Sequence, residues 1–180
     1  MDNILLSGKK FEMTLERLCY QIIENHNNLS NTALIGLQPR GIYLANALYD
    51  KLVKILGNKE LKHGNLDATF HRDDFRSHKG PLIPSSANIN FAMEGMDVIL
   101  ADDVLFTGRT IRAGLDALLD YGRPKKVELL VLVDRVFSRQ LPIEPNYVGI
   151  AVDTRASQKV KVTWQETEGE NSVCLLTDKL

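Results

Sequence analysis

Cysteine is scarce in this 180-residue chain: only Cys19 and Cys174 occur, far apart and each among apolar neighbours. A disulfide-stapled scaffold and a cysteine-ligated zinc site are thereby set aside, and the two thiols read as reduced core residues of a cytoplasmic protein. Long apolar runs are missing too. None approaches the roughly 20 residues a membrane-spanning helix needs, so no membrane partner is expected. The opening M1-D-N-I-L-L-S-G-K-K10 lacks the basic-then-apolar order of a secretory leader. Neither sign of charge dominates. With 22 Lys and Arg against 23 Asp and Glu, the net charge is −1 and the pI near 6.4, so no global basic field advertises nucleic acid. Neither G-x-x-x-x-G-K-[ST] nor G-x-G-x-x-G occurs, which removes an ATP-type P-loop and a dinucleotide-binding turn. His26, His63, His71 and His78 show no metal-ligand spacing.

What remains is an ordinary globular balance, 44% hydrophobic and 25% charged, in a length that fits a single domain over 1–180. Helical spacing runs from Phe11 to about Asn27, through Leu15, Leu18, Cys19, Ile22 and Ile23. T32-A-L-I-G-L37 predicts a buried strand, broken by Q38-P-R-G41, and a helix follows over Ile42–Leu56. L66-D-A-T-F70 reads as a strand. The polar segment from His71 to Ala87, punctuated by Gly80, Pro81 and Pro84, is too long for an ordinary connection. V98-I-L-A101 and V127-E-L-L-V-L-V133 predict buried strands around a helix over Ile111–Tyr121. Further strands are expected over Tyr147–Val152, Lys159–Gln165 and Ser172–Thr177. Alternating strand–helix units imply an α/β fold whose central, mostly parallel sheet is flanked by helices. Ligands in such sheets sit beyond the carboxyl ends of the strands.

Three loops fall at that edge. T107-G-R-T110 precedes a helix, whose first N–H groups carry partial positive charge, and Gly108 lets the backbone curl around an anion. Two threonine hydroxyls and Arg109 complete a set suited to a phosphate monoester, although capping by Thr110 alone is the simpler role for such a threonine. Asp102 and Asp103, at the end of an apolar strand, suit a vicinal diol or a water-bridged Mg²⁺. Q38-P-R-G41 places Arg40 where backbone N–H groups and a guanidinium can meet a pyrophosphate, and by itself it also reads as a plain turn with a solvated arginine.

The pattern of four apolar residues, Asp-Asp, apolar residues and Thr-Gly-x-Thr over 98–110 resembles the phosphoribosyl diphosphate (PRPP) motif of type I phosphoribosyltransferases. A33-L-I-G-L-Q-P-R-G-I-Y-L-A45, L66-D-A-T-F-H-R-D-D-F75, L100-A-D-D-V-L-F-T-G-R-T-I-R-A-G-L-D-A-L117 and L132-V-D-R135 with L141-P-I143 are similar to bifunctional pyrimidine-operon attenuators and uracil phosphoribosyltransferases. The resemblance implies a type I phosphoribosyltransferase fold with a small hood, from about 135–150 and the C-terminal strands. It implies Mg²⁺ as cofactor, held through PRPP and waters near Asp102 and Asp103 with no direct protein ligand. Asp102 and Asp103 would bind the ribose hydroxyls, Phe106, Thr107, Gly108, Arg109 and Thr110 the 5′-phosphate, and Pro39, Arg40 and Gly41 the pyrophosphate. Arg40, Arg72 and Asp103 would serve catalysis, a flexible loop over about 72–87 would close over PRPP, and Arg135, Val136 and Phe137 would meet the base.

The implied partners are PRPP, a pyrimidine base or UMP, and further copies of the chain in a homodimer or larger assembly. The hood departs from the family's Asp-Arg-Gly-His-Arg-Glu-Leu-Pro: D134-R-V-F-S-R-Q-L-P142 is one residue longer and lacks the histidine. The family's RNA-binding surface is basic, whereas the first helix here, read from Phe11, carries Glu12, Glu16 and Glu24 against Arg17. Glu144 and Ile150 stand where cations are expected, so charge argues against RNA attenuation.

Overall fold

A computed structural model describes residues 3–57, 61–73, 87–154 and 158–177. Five parallel strands form the main sheet: β2 (Thr32–Leu37), β3 (Lys62–Leu66), β4 (Asp97–Leu105), β5 (Lys126–Val136) and β6 (Tyr147–Asp153), ordered β3-β2-β4-β5-β6. The near-continuous apolar runs of β2, β4 and β5 follow from cover on both faces. Helices α1 (Gly8–His26) and α2 (Gly41–Leu56) share one buried cluster with Leu34, Ile99, Leu130 and Leu132; α3 (Arg109–Leu118) joins the other, with Ile35, Val98, Leu100 and Val131. A second sheet is antiparallel and ordered β1-β8-β7, from β1 (Asn3–Ser7), β7 (Gln158–Thr163) and β8 (Ser172–Thr177), with the short α4 (Gln165–Glu168) between β7 and β8.

The α/β architecture expected from the alternation is present, with several shifted boundaries. β1 has no counterpart in the expected elements; five residues whose partner lies at the far end of the chain carry no local signal. α1 begins at Gly8 rather than Phe11. The edge strand is Lys62–Leu66, not Leu66–Phe70, because K-H-G-N-L hides a strand that pairs in parallel on one side with β2. Asp67 onward turns into a 3-10 segment, Thr69–His71. β4 and β5 run on through Asp102-Asp103 and Asp134-Arg135, so these charged pairs lie within strands. β7 stops at Thr163, and Gln165 opens α4. The expected hood stretch 135–150 divides: Arg135–Val136 and Tyr147–Ile150 belong to the main sheet, while the C-terminal strands pair with β1. No helix of the described residues is long and apolar enough to cross a membrane.

Candidate active site at the carboxyl edge of the sheet

Chain direction across the sheet changes between β2 and β4, since β2 leads outward to β3 while β4 leads the other way to β5. The loops after β2 and β4 therefore diverge and open a crevice at the carboxyl edge. Two glycines bring the walls together. A Cβ on Gly41 would lie 2.3 Å from the Ala101 carbonyl oxygen and 2.9 Å from Asp102 Cα, and one on Gly36 would lie 2.7 Å from Ile42 Cα. Only glycine lets the start of α2 sit this close to β4. Pro39 follows a cis peptide and is exposed. Arg40 is directed across the crevice: its Nε donates to Asp103 Oδ2 at 3.2 Å, and its Nη2 donates to the Val162 carbonyl at 2.5 Å and to Glu168 Oε1 at 3.2 Å.

Asp102 and Asp103 are both buried. Strand alternation sends neighbouring side chains to opposite faces, so Asp103 shares the face of Ile99 and Ala101, with α2, and Asp102 that of Val98 and Leu100, with α3. They straddle the strand end. Asp102 Oδ1 accepts the Asp103 N–H at 2.9 Å, and among the described residues no cation pairs with it. Burial, then the charge of Asp103, pushes the Asp102 carboxyl well above the usual carboxylate range. Burial also raises Asp103, against the lowering effect of Arg40. Two crowded acids with one shared cation form a site short of positive charge.

Beyond β4 the chain bends through Phe106 and Thr107 to Gly108, whose φ of +89° caps α3. Thr110 lies inside the helix, so capping does not explain it. Thr107 Oγ1 accepts the Arg109 N–H at 3.4 Å, and the Thr107 carbonyl accepts N–H groups of Gln140 at 3.0 Å and Leu141 at 3.2 Å. Arg109 donates through Nε to Gln140 Oε1 at 2.8 Å and pairs through Nη1 with Asp73.

Arg135 is buried; its guanidinium carbon lies 4.0 Å over the Phe106 ring, and it donates to Thr154 Oγ1 and the Gln158 carbonyl, each at 3.0 Å. Val136 is half-buried, and Phe137, with φ +64°, is 91% exposed and lines a concavity with Arg139, Leu141 and Ile143.

Arg40, Asp103 and the C-terminal sheet thus converge on one crevice, with Asp102 and the Thr107–Thr110 loop along the same edge. Arg72 is exposed at the foot of the expected loop, but residues 74–86, His78 among them, lie outside the described residues. The sequence reading passed over four side chains. Glu168 and Asp73 each hold an arginine of the site, and Gln140 holds Arg109. Arg139 pairs with Asp134 and donates to the carbonyls of Phe106 at 2.9 Å and Ile143 at 2.9 Å, fastening the loop after β5 to the loop after β4. Nothing in the local spacing marked them, because each contact joins segments far apart in sequence.

The donor chemistry fits a hard divalent cation: two crowded carboxylate groups at a strand end are oxygen donors that gain from added positive charge. The described residues contain no group of three or more His, Cys, Asp or Glu able to hold a metal, so such an ion there would take further ligands from substrate and water.

Residues 2–167 match the family described as phosphoribosyl transferase domain. The bifunctional protein PyrR of Desulfosudis oleivorans is 44% identical over 173 residues, covering 96% of this chain and 95% of that protein. That of Elusimicrobium minutum is 42% identical over 176 residues, covering 98% and 97%. The hypoxanthine phosphoribosyltransferase of Trypanosoma cruzi superimposes with a TM-score of 0.72 at 14% identity, over 98% of this chain and 97% of that one. A hypoxanthine phosphoribosyltransferase of Staphylococcus aureus gives 0.66 at 18% identity, over 85% and 79%. At such identities the structural likeness speaks for the fold alone.

Proposed function

This chain belongs to the phosphoribosyl transferase domain family, among its PyrR-like type I members, and from that premise we propose that it transfers phosphoribose from PRPP to uracil, giving UMP and pyrophosphate. The observation that carries the reading is the crevice in which Arg40 reaches Asp103 at 3.2 Å, beside a glycine-capped helix start at Thr107–Thr110. Asp102 and Asp103 accept the ribose hydroxyls from either side of the strand end. Phe106, Thr107, Gly108, Arg109 and Thr110 hold the 5′-phosphate, with the unpaired N–H groups of α3 facing it.

Pro39, Arg40 and Gly41 hold the pyrophosphate, where the guanidinium meets the charge that develops as the C1′–O bond breaks. Mg²⁺, bound through PRPP and water beside the two aspartates, supplies further charge stabilisation to the leaving pyrophosphate. The C1′–N1 bond forms as the base loses its N1 proton, for which Asp103 is the nearest acceptor in this arrangement. Arg72 adds a cation from the opposite wall, and Arg135, Val136 and Phe137 frame the base. We place this activity in the cytoplasm and in a homodimer or larger homo-oligomer.

Incubation with PRPP, Mg²⁺ and a panel of pyrimidine and purine bases tests this directly. Pyrophosphate release that depends on uracil is expected; release with purines alone, or with no base at all, would overturn the assignment.

A second reading, pyrimidine-responsive attenuation through leader RNA, is supported by the word bifunctional in the relatives' names. The charge argument against it also weakens once α1 begins at Gly8: Lys9, Lys10 and Arg17 then balance Glu12, Glu16 and Glu24. UMP-dependent retention of pyrimidine-operon leader RNA on filters would establish it, and absence of retention at low salt would remove it.

A further inference from the structure

Both arginines assigned to the two anionic ends of PRPP already touch carboxylates of this chain that lie outside the substrate-binding loops. Arg40 Nη2 donates to Glu168 Oε1 at 3.2 Å, and Arg109 Nη1 pairs with Asp73. Neither acid hangs loose. Glu168 Oε2 accepts the Trp164 N–H at 3.0 Å and the Thr167 hydroxyl, and these bonds, with Arg40, hold its carboxyl down at about 2. Trp164 is in turn buried between Phe11, edge-on at 5.5 Å, and Tyr43, stacked at 6.1 Å. Asp73 lies two residues beyond the Thr69–His71 segment, where His71 Nε2 meets Asp120 Oδ2 at 3.1 Å. Chance surface ion pairs are weak, and nothing in a chance arrangement would put one at each end of the same crevice.

We propose that Asp73 and Glu168 are surrogate anions. They occupy Arg109 and Arg40 when no substrate is bound, and PRPP enters by displacing both. The inference rests on the PRPP reading of the site and deepens it. Phosphate oxygens displace carboxylates because they carry more charge and offer more acceptor positions to a guanidinium. The surrogates keep each guanidinium oriented in the empty site. They also weaken the hold on every phosphorylated ligand, and their return helps expel pyrophosphate and the nucleotide. Each substrate phosphate therefore binds at a discount set by one internal ion pair.

Calorimetric titration of PRPP with Mg²⁺ into the wild type, Asp73→Asn, Glu168→Gln and the double variant tests this. Glu166→Gln serves as the control, since Glu166 is an exposed acid on the same short helix, away from Arg40. Each single variant is expected to tighten the PRPP Kd about twofold to fivefold, the range of a partly exposed ion pair. The two gains multiply in the double variant, because the acids sit on separate arginines. Glu166→Gln has the smaller effect, and kcat stays level or falls as product release slows. A gain in affinity cannot come from misfolding, so these variants report on competition. Unchanged or weaker PRPP binding in both variants, or an equal gain from Glu166→Gln, would overturn the proposal. Failure of the wild type to bind PRPP would show in the first titration and would remove the site reading itself.

Discussion

The main sheet holds buried acids at both of its ends, and they are treated in opposite ways. At the amino edge, Glu128 on β5 meets His26 Nε2 at 2.5 Å, the Tyr147 hydroxyl at 3.1 Å and the Lys126 ammonium. Asn25 Nδ2 donates to the same tyrosine oxygen at 3.1 Å. Burial raises the Glu128 carboxyl, but Lys126 and His26 outweigh it and leave it below its ordinary value. Burial, with the neighbouring Glu128, pushes the Tyr147 hydroxyl up to about 12. At the carboxyl edge, Asp102 and Asp103 share one guanidinium and are both raised. A folded chain that meant only to be stable would leave neither edge so. Charge completed by the protein fastens α1 to β5; charge left incomplete awaits a ligand.

Breaking the completed cluster should have the largest effect on stability. Glu128→Ala leaves Tyr147 and His26 without their shared acceptor and should cost about 2 kcal/mol, or roughly 4–8 °C in Tm. Turnover well below the transition should persist, and a thermal melt beside an activity assay checks both. Relieving the incomplete cluster should act the other way. Asp102→Asn removes one of two crowded charges and should raise the Tm of the ligand-free protein by roughly 2–4 °C, while PRPP binding is lost.

The third effect is smaller and has a sign. Asp102 is raised in the folded state, so it favours folding below its unfolded value near 3.9 and loses that contribution as pH rises through the folded value. The Tm gain of Asp102→Asn should therefore shrink as melts are moved from neutral pH toward pH ~4. Glu128 is lowered, so its contribution is present above its unfolded value near 4.3 and is lost as pH falls through the lower folded value.

The incomplete edge was legible in the sequence, and the completed one was not. V98-I-L-A-D-D-V-L-F-T-G-R-T110 puts an apolar run, two acids and a glycine-threonine loop in one continuous stretch, so its chemistry could be read along the chain. The strand–loop–helix order that carries Arg40 to Asp103 was legible for the same reason. Glu128 gave no signal, because its partners come from α1 and β6. β1 was invisible because its partner β8 lies at the other end of the chain. K62-H-G-N-L66 concealed an edge strand behind polar residues, and Glu168 and Asp73 reach their arginines only through the fold. The acids were placed one step wrong: they were read as following β4, whereas they lie within it, on opposite faces.

Pyrophosphate release by the Asp102→Asn/Asp103→Asn double variant, beside the wild type with PRPP, Mg²⁺ and uracil, tests the central claim most directly. The wild type should release pyrophosphate, and the double variant should release none while melting at or above the wild-type temperature. Turnover that survived in a folded double variant would mean that the acids at the carboxyl edge do not hold the ribose.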